Sequence, residues 1–340
     1  MTDVLRASET TLLPPLPQGW HAVAFAALAD GALAILGSTF DVRGMLIAWR
    51  DSIGDDDGPQ VEVENPFKDG TGVPARIWTF DGARLVEGPA FPLLTPDPRF
   101  DRFPDGRWLV AVSRSAEEPL SRIIGTDGTE VRRLQFGDGV GHVQVDDVGH
   151  VWVGWFDEGV FGNQGFFGDR MTWSYPGLSE PPSRFGLAAF DEQGSLVAHA
   201  PHGVGIKGIA DCYALNVAGH TAWACPYQGF PILSVAAGQP SCRWTTKLSG
   251  PKAIAVQPPY VLTAGGYEPS VVGTGPGSDH VTLIRLDGER GQTVAEWRLP
   301  FKTHDWREVE LVSGRGDTLH VVRGGVWHRW RIGDAMARNS

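Results

Sequence analysis

Short apolar runs and tight turns alternate along the whole chain, with no long stretch of helical spacing. One pattern, two apolar runs about a turn, occurs at 22–37, 99–113, 142–156 and 212–227, with weaker copies at 252–266 and 308–323. A second strand–turn–strand pattern follows the first five copies, clearest at 75–88, 121–136, 186–200 and 281–299 and looser at 232–248. Asp-Gly pairs such as Asp81-Gly82 and Asp127-Gly128 sit between alternating runs, the strongest short-range hairpin signal.

Two hairpins per unit predict a four-stranded antiparallel blade. One such sheet buries too little apolar surface to stand alone, and blades stacked face to face around an axis bury both faces. The pattern therefore predicts an all-β fold, a six-bladed β-propeller of four-stranded antiparallel blades in one domain over 1–340. The sixth unit runs out after 325–332, one strand short. The segment 10–17 precedes the first blade and reads as the missing outer strand, closing the ring. Pro14 and Pro15 are tolerated there because an outermost strand has one unpaired edge.

The turn at 145–154 (VDDVGHVWVG) resembles those of six-bladed propellers of the NHL and SMP-30/gluconolactonase-like group. Residues 156–163 (FDEGVFGN) and 211–217 (DCYALNV) resemble bacterial propellers without an assigned activity. The likeness covers about residues 10–332 in architecture and implies the fold. It also implies a place for chemistry, because SMP-30-like lactonases hold a metal at the channel mouth with Glu, Asn and Asp. That ligand set is not reproduced position by position: Asn216 aligns with Asp146 in the turn on the other face and reads as a turn cap.

Composition agrees with short strands: 44 Gly, 25 Pro and 13 Trp accompany only 20% charged residues. With 29 basic against 40 acidic residues, the net charge of −11 gives no electrostatic reason to bind nucleic acid. Cys212, Cys225 and Cys242 lack the spacing of a zinc ribbon or a disulfide framework. No signal peptide or membrane-length apolar run is present, so a cytoplasmic monomer is expected.

The long connections fall at 38–74, 157–183 and 266–280, each between the second and third strands of a blade, which sends all three to one face. Long loops on a rigid scaffold commonly carry function, although insertions are also tolerated at little entropic cost. The acidic stretch 51–74, with Asp55, Asp56 and Asp57, reads as a solvated lid. Phe161, Phe166, Phe167, Trp173 and Tyr175 in 157–183 suit either a ligand cover or rim packing.

Each blade delivers residues to this mouth at the start of its first strand and the end of its second. His142, Glu158, His304 and Arg307 are the catalytic candidates, and Asp157, Asp211 and His142 a candidate site for a divalent metal (Ca, Mg or Zn). His142 can instead act as a general base oriented by a carboxylate, or be a satisfied rim histidine with Asp157 as a strand-end cap. Arg99, Arg114, Tyr227, Lys252, Tyr267 and Arg323 are the substrate-binding candidates. Cys212 reads as a nucleophile or, more commonly for such thiols, a buried core residue. The expected function is a small-molecule site, as a metal-assisted hydrolase or lyase. The alternative is a non-catalytic propeller binding a ligand, a protein or a basic partner.

Overall fold

The computed structural model describes residues 3–53, 65–68, 70–114, 120–161, 181–201, 208–267, 277–303 and 307–339. Six four-stranded antiparallel sheets are arranged as a six-bladed propeller. From the axis outward, blade 1 is His21–Ala27, Leu33–Ser38, Val73–Phe80 and Leu85–Leu93. Blade 2 opens with Pro98–Arg102, blade 3 with Val140–Val145, blade 4 with Asp211–Ala218 and blade 5 with Ala253–Gln257. Blade 6 comprises Val309–Arg315, Thr318–Arg323 and Val326–Arg331, with Glu9–Leu12 outermost.

Burial explains why these segments become strands in these positions. Second strands such as Trp108–Val112 and Val151–Trp155 are buried throughout, whereas fourth strands such as Glu130–Leu134 are largely exposed. One apolar seam lies between each pair of neighbouring blades. Trp155, Phe136 and Leu109 help fill the seam between blades 2 and 3, and Trp330, Leu319 and Leu262 the one between blades 5 and 6. Small residues such as Ala253 and Ala255 occupy the innermost strands, where the wedge between blades narrows.

The N-terminal strand closes the ring, with Glu9 opposite Arg329 and Leu12 opposite Val326. It is shorter than 10–17 and stops before Pro14 and Pro15, whose missing N–H groups would not support pairing. The chain before it is a second tie: Leu5 is buried, its N–H donates to Arg298 O at 2.8 Å, and its carbonyl accepts the Trp330 indole N–H at 3.1 Å. The chain past the last strand forms a helix, Ile332–Asn339, which sequence periodicity did not foretell. Its Ile332 and Ala335 are buried in the seam between blades 5 and 6.

Polar groups tie the innermost strands together across the axis near their first turns. Arg315 of blade 6 pairs with Asp101 of blade 2 at 3.0 Å and donates to Val145 O of blade 3 at 2.6 Å. Gln144 donates to Gly314 O at 2.9 Å. Asn216, read from sequence as a turn cap, is instead buried, donating to Ile254 O at 2.8 Å and Gly316 O at 2.7 Å. Asp146 is the turn cap, accepting from the N–H groups of Val148 and His150. A Cβ at Gly314 would lie 1.8 Å from Ile254 O, a backbone atom that cannot swing aside. Gly314→Ala is therefore expected to destabilise the ring by about 1–3 kcal/mol or more, the range for overpacking. Chemical denaturation reads this, and an unchanged midpoint would refute the close approach.

Candidate functional site

At the opposite end of the innermost strands lies the face where the described ends of the connections 38–74, 157–183 and 266–280 leave and rejoin their blades. The described part of 38–74 is a helix, α1 (Val42–Ile53), rather than a loop throughout; Asp55, Asp56 and Asp57 lie outside the described residues. Arg43 of α1 pairs with Glu310 at 3.4 Å, and Asp51 accepts from Arg307 at 2.6 Å, so α1 is clipped to blade 6. The connection 157–183 begins as a short helix, α2 (Asp157–Phe161), and ends in a 3-10 turn, Pro182–Phe185. Phe166, Phe167, Trp173 and Tyr175, and likewise His304, are outside the described residues.

Two adjoining cavities of about 370 and 460 Å³ open here and share Gly141, His142, Glu310, Leu311 and Val312. The larger adds Asp211, Cys212, Tyr213, Lys252, Phe156 and Arg50; the smaller adds Arg99. A repeated backbone irregularity shapes this end. Register slips at the mouth end of four innermost strands, leaving Val23, Gly141, Tyr213 and Glu310 as the extra residues. Each lines one or both cavities. A bulge re-aims a side chain that regular alternation would direct elsewhere. It therefore brings Tyr213 and Glu310 to the mouth, two residues that strand alternation alone did not single out.

The electrostatics of the larger cavity are distinctive. Burial, with the neighbouring Asp157 and Glu158 charges, pushes the Asp211 carboxyl up to about 6, against the pull of Lys252. Burial, helped by Arg99 and Lys252, brings the His142 imidazole down to about 4, so it is neutral near pH 7. Burial lowers the Lys252 ammonium, with Asp211 opposing. Its Nζ sits 4.3 Å from the centroid of the Tyr213 ring, and the Tyr213 hydroxyl shares a hydrogen bond with that of Tyr267 at 2.6 Å. Phe230 and Tyr227 complete this aromatic group, their rings 5.1 and 6.2 Å from Tyr213. Glu310 is held above the usual carboxylate range by burial, and among the described residues its Oε2 has no hydrogen-bond partner.

Other candidates read from the sequence are held by partners of their own or by packing. Arg114 lies 3.4 Å from Asp138 and 3.7 Å from Glu158, joining α2 to blade 2. Arg323 pairs with Glu308 and lies over Phe301, and Arg307 is turned outward onto Asp51, leaving Glu310 as blade 6's charged contribution to the cavities. Arg99 pairs with Asp97 and donates to Gly141 O at 2.9 Å. Cys212 is buried, its thiol pushed well up by burial, and a Cβ on Gly154 would lie 2.7 Å from its Sγ; it is a core residue.

For a metal, the test is convergence of ligand atoms. His142, Asp157 and Asp211 are not among the groups of three whose ligand atoms lie within 4.8 Å of one another. The group that meets this criterion among the described residues, Asp146, Asp147 and His220, sits at the far turns, where backbone donors and the Trp152 indole already engage Asp146.

The half-buried His142 and the buried His320, held down to about 3, stay neutral in the fold. Unfolded histidine takes its proton near 6.5, so their contribution to stability is complete above that pH and falls away as pH drops toward 4 and then 3. Asp211, with its raised pKa, works in the opposite sense between 3.8 and about 6. The thermal midpoint of His320→Gln is expected to fall less steeply than wild type on acidification. Equal slopes in a pH series would contradict this.

Fold and mouth together define a six-bladed propeller with an open, ionisable pocket at the end where α1 and α2 lie. The solved structures to which the chain is similar are remote in sequence. A functionally unknown protein from Desulfotomaculum acetoxidans is 9% identical, with 94% of this chain and 84% of that one covered and a TM-score of 0.52. A catalytically inactive virginiamycin B lyase from Staphylococcus aureus, solved with quinupristin, is 11% identical over 95% of this chain and 99% of that one, with a TM-score of 0.45. A candidate gluconolactonase is 12% identical over 97% and 98%, with a TM-score of 0.46. No protein-family model matches the sequence, and no curated protein does. Among the described residues no helix is long and apolar enough to cross a membrane.

Proposed function

We propose that the channel mouth binds a small organic molecule and transfers protons on it, as a hydrolase or lyase. The observation that carries this reading is the Asp211 carboxyl, which titrates at about 6 in a 460 Å³ cavity that also holds a neutral imidazole and an amine. A group poised near neutrality can both take and give a proton during turnover. Asp211 is the proton carrier in this scheme, His142 accepts or donates through its neutral ring, and Tyr213 and Tyr267 position the ligand.

The test is a ligand-observed NMR screen of neutral metabolites, followed by hydrolysis and elimination assays on the binders. Asp211→Asn keeps the shape of the side chain and removes its proton transfer. It is expected to cut turnover by about 10²- to 10⁴-fold with modest change in binding, as loss of general acid–base catalysis does. Equal turnover in Asp211→Asn and wild type would defeat the assignment. A divalent ion on His142, Asp157 and Asp211 is the metal-dependent form of the proposal, and elemental analysis of untagged protein, with chelator sensitivity, separates the two.

A second reading rests on the aromatic group at the rim, where Tyr227 is 40% exposed. Tyrosines are efficient ligand and protein contacts, so a binding propeller without chemistry would use Tyr213, Tyr227 and Tyr267. Binders that show no turnover and lose affinity in Tyr227→Ala would favour it.

A further inference from the structure

Lys252 is an unusual lysine. It enters the larger cavity at the start of blade 5, and among the described residues its Nζ has no ion pair within 4.0 Å; the Tyr213 ring face is its close contact. Its stem is fixed from behind. Gly265 has φ +98°, and a Cβ there would lie 3.1 Å from Lys252 Cβ and Cγ, so the absence of a side chain at 265 makes the groove the stem occupies. The amine is thus held against an aromatic face inside a cavity, with the Asp211 carboxyl nearby, instead of being spread into solvent as lysines normally are.

We propose that Lys252 forms an imine with a small, uncharged aldehyde or ketone bound at the mouth. This rests on the mouth being a small-molecule site and adds a covalent step and a substrate class. The Lys252 nitrogen lone pair adds to the carbonyl carbon while the C–O π pair moves onto oxygen. The nitrogen gives up two protons, both leave on that oxygen as water when the C–O bond breaks, and a C=N bond remains. Asp211 is placed to relay these protons. Burial, which disfavours the ammonium, supports a reactive amine. Asp157 and Glu158, both close enough to act on Asp211, place negative charge at this end of the cavity, so an uncharged carbonyl compound is favoured over an anionic 2-oxo acid.

The experiment traps the imine in the intact wild-type protein with cyanoborohydride at neutral pH, using glycolaldehyde as the uncharged probe and pyruvate as the anionic one. Peptide mapping then gives the adduct rate at each lysine. Glycolaldehyde is expected to modify Lys252 at least about tenfold faster than Lys68, Lys207, Lys247 and Lys302, the advantage of a partly desolvated, activated amine. Pyruvate is expected to be slower at Lys252. Asp211→Asn should slow trapping at Lys252 and leave the other lysines unchanged. Lys252 reacting no faster than the rest overturns the inference, and so does preferential trapping of pyruvate. If Lys252 stays unmodified while Asp211→Asn still depresses turnover of a screened binder, the imine fails and the mouth reading stands; loss of both removes both.

Discussion

A chain shortened to begin at Leu13 is expected to lose its cooperative unfolding transition or to melt far below the full-length protein. Removing Glu9–Leu12 strips the outer partner from Val326–Arg331 and exposes an open sheet edge. Removing the residues before it does more. Leu5 leaves the seam between blades 5 and 6, and the buried Trp330 indole N–H loses its acceptor. Backbone bonds to Arg298 and Arg329 go with them, and the ion pairs from Glu9 to Arg329 and Arg331 go with the strand. A buried leucine contributes about 1.5–3 kcal/mol, and an orphaned buried donor costs about 1–3 kcal/mol. With the strand bonds added, the loss is on the order of 5 kcal/mol or more, comparable with the whole stability of an ordinary domain. Thermal and urea unfolding of the truncated protein, with and without a synthetic peptide of residues 1–12, tests this. Rescue by the peptide is the expected result, and an unchanged midpoint without it would show that the ring closes by other means.

The blades were legible because their determinants are local. Asp-Gly turns, buried second strands and amphipathic outer strands each leave their mark within about fifteen residues, the span of one hairpin. The closing strand could be inferred by counting, since five complete units and one short one leave a single place for the segment before blade 1. What could not be read is where the chain slips by one residue. Regular alternation assigns faces by parity, and a bulge reverses that parity downstream. In blade 6 the slip around Val309 and Leu311 puts Glu310 into the cavity, while Arg307, the residue that sequence reading favoured, pairs with α1. In blade 4 the slip between Cys212 and Ala214 presents Tyr213 to the cavity, a residue to which the sequence reading gave no role. The helix α1 was obscured by the charged residues that follow it. Contacts across the axis were illegible for a different reason. Asp101 and Arg315 lie 214 positions apart and carry no local signal of each other.

That cross-axis pair gives the second large effect. Arg315→Met is expected to destabilise the protein by about 3–5 kcal/mol at neutral pH, the penalty for leaving a buried charge without its partner. Asp101 is 2% exposed and already shifted upward by burial, with Arg315 the main force pulling its carboxyl back down. In the variant that force is gone, while Val145 N–H and Arg102 N–H still donate to it. The carboxyl will therefore titrate still higher in the folded variant than in the unfolded chain. A folded state that holds a proton the unfolded state has released gains stability as pH falls, so part of the loss relative to wild type should be recovered on going from neutral pH toward 5. Asp101→Leu combined with Arg315→Met removes both charges and should cost less than the sum of the single changes, because neither is then stranded. Urea denaturation of the four proteins at the two pH values measures the coupling. Additive losses, or a gap to wild type that does not narrow on acidification, would mean that the pair is solvated and that the blades are held at the axis by Gln144 and Asn216 instead.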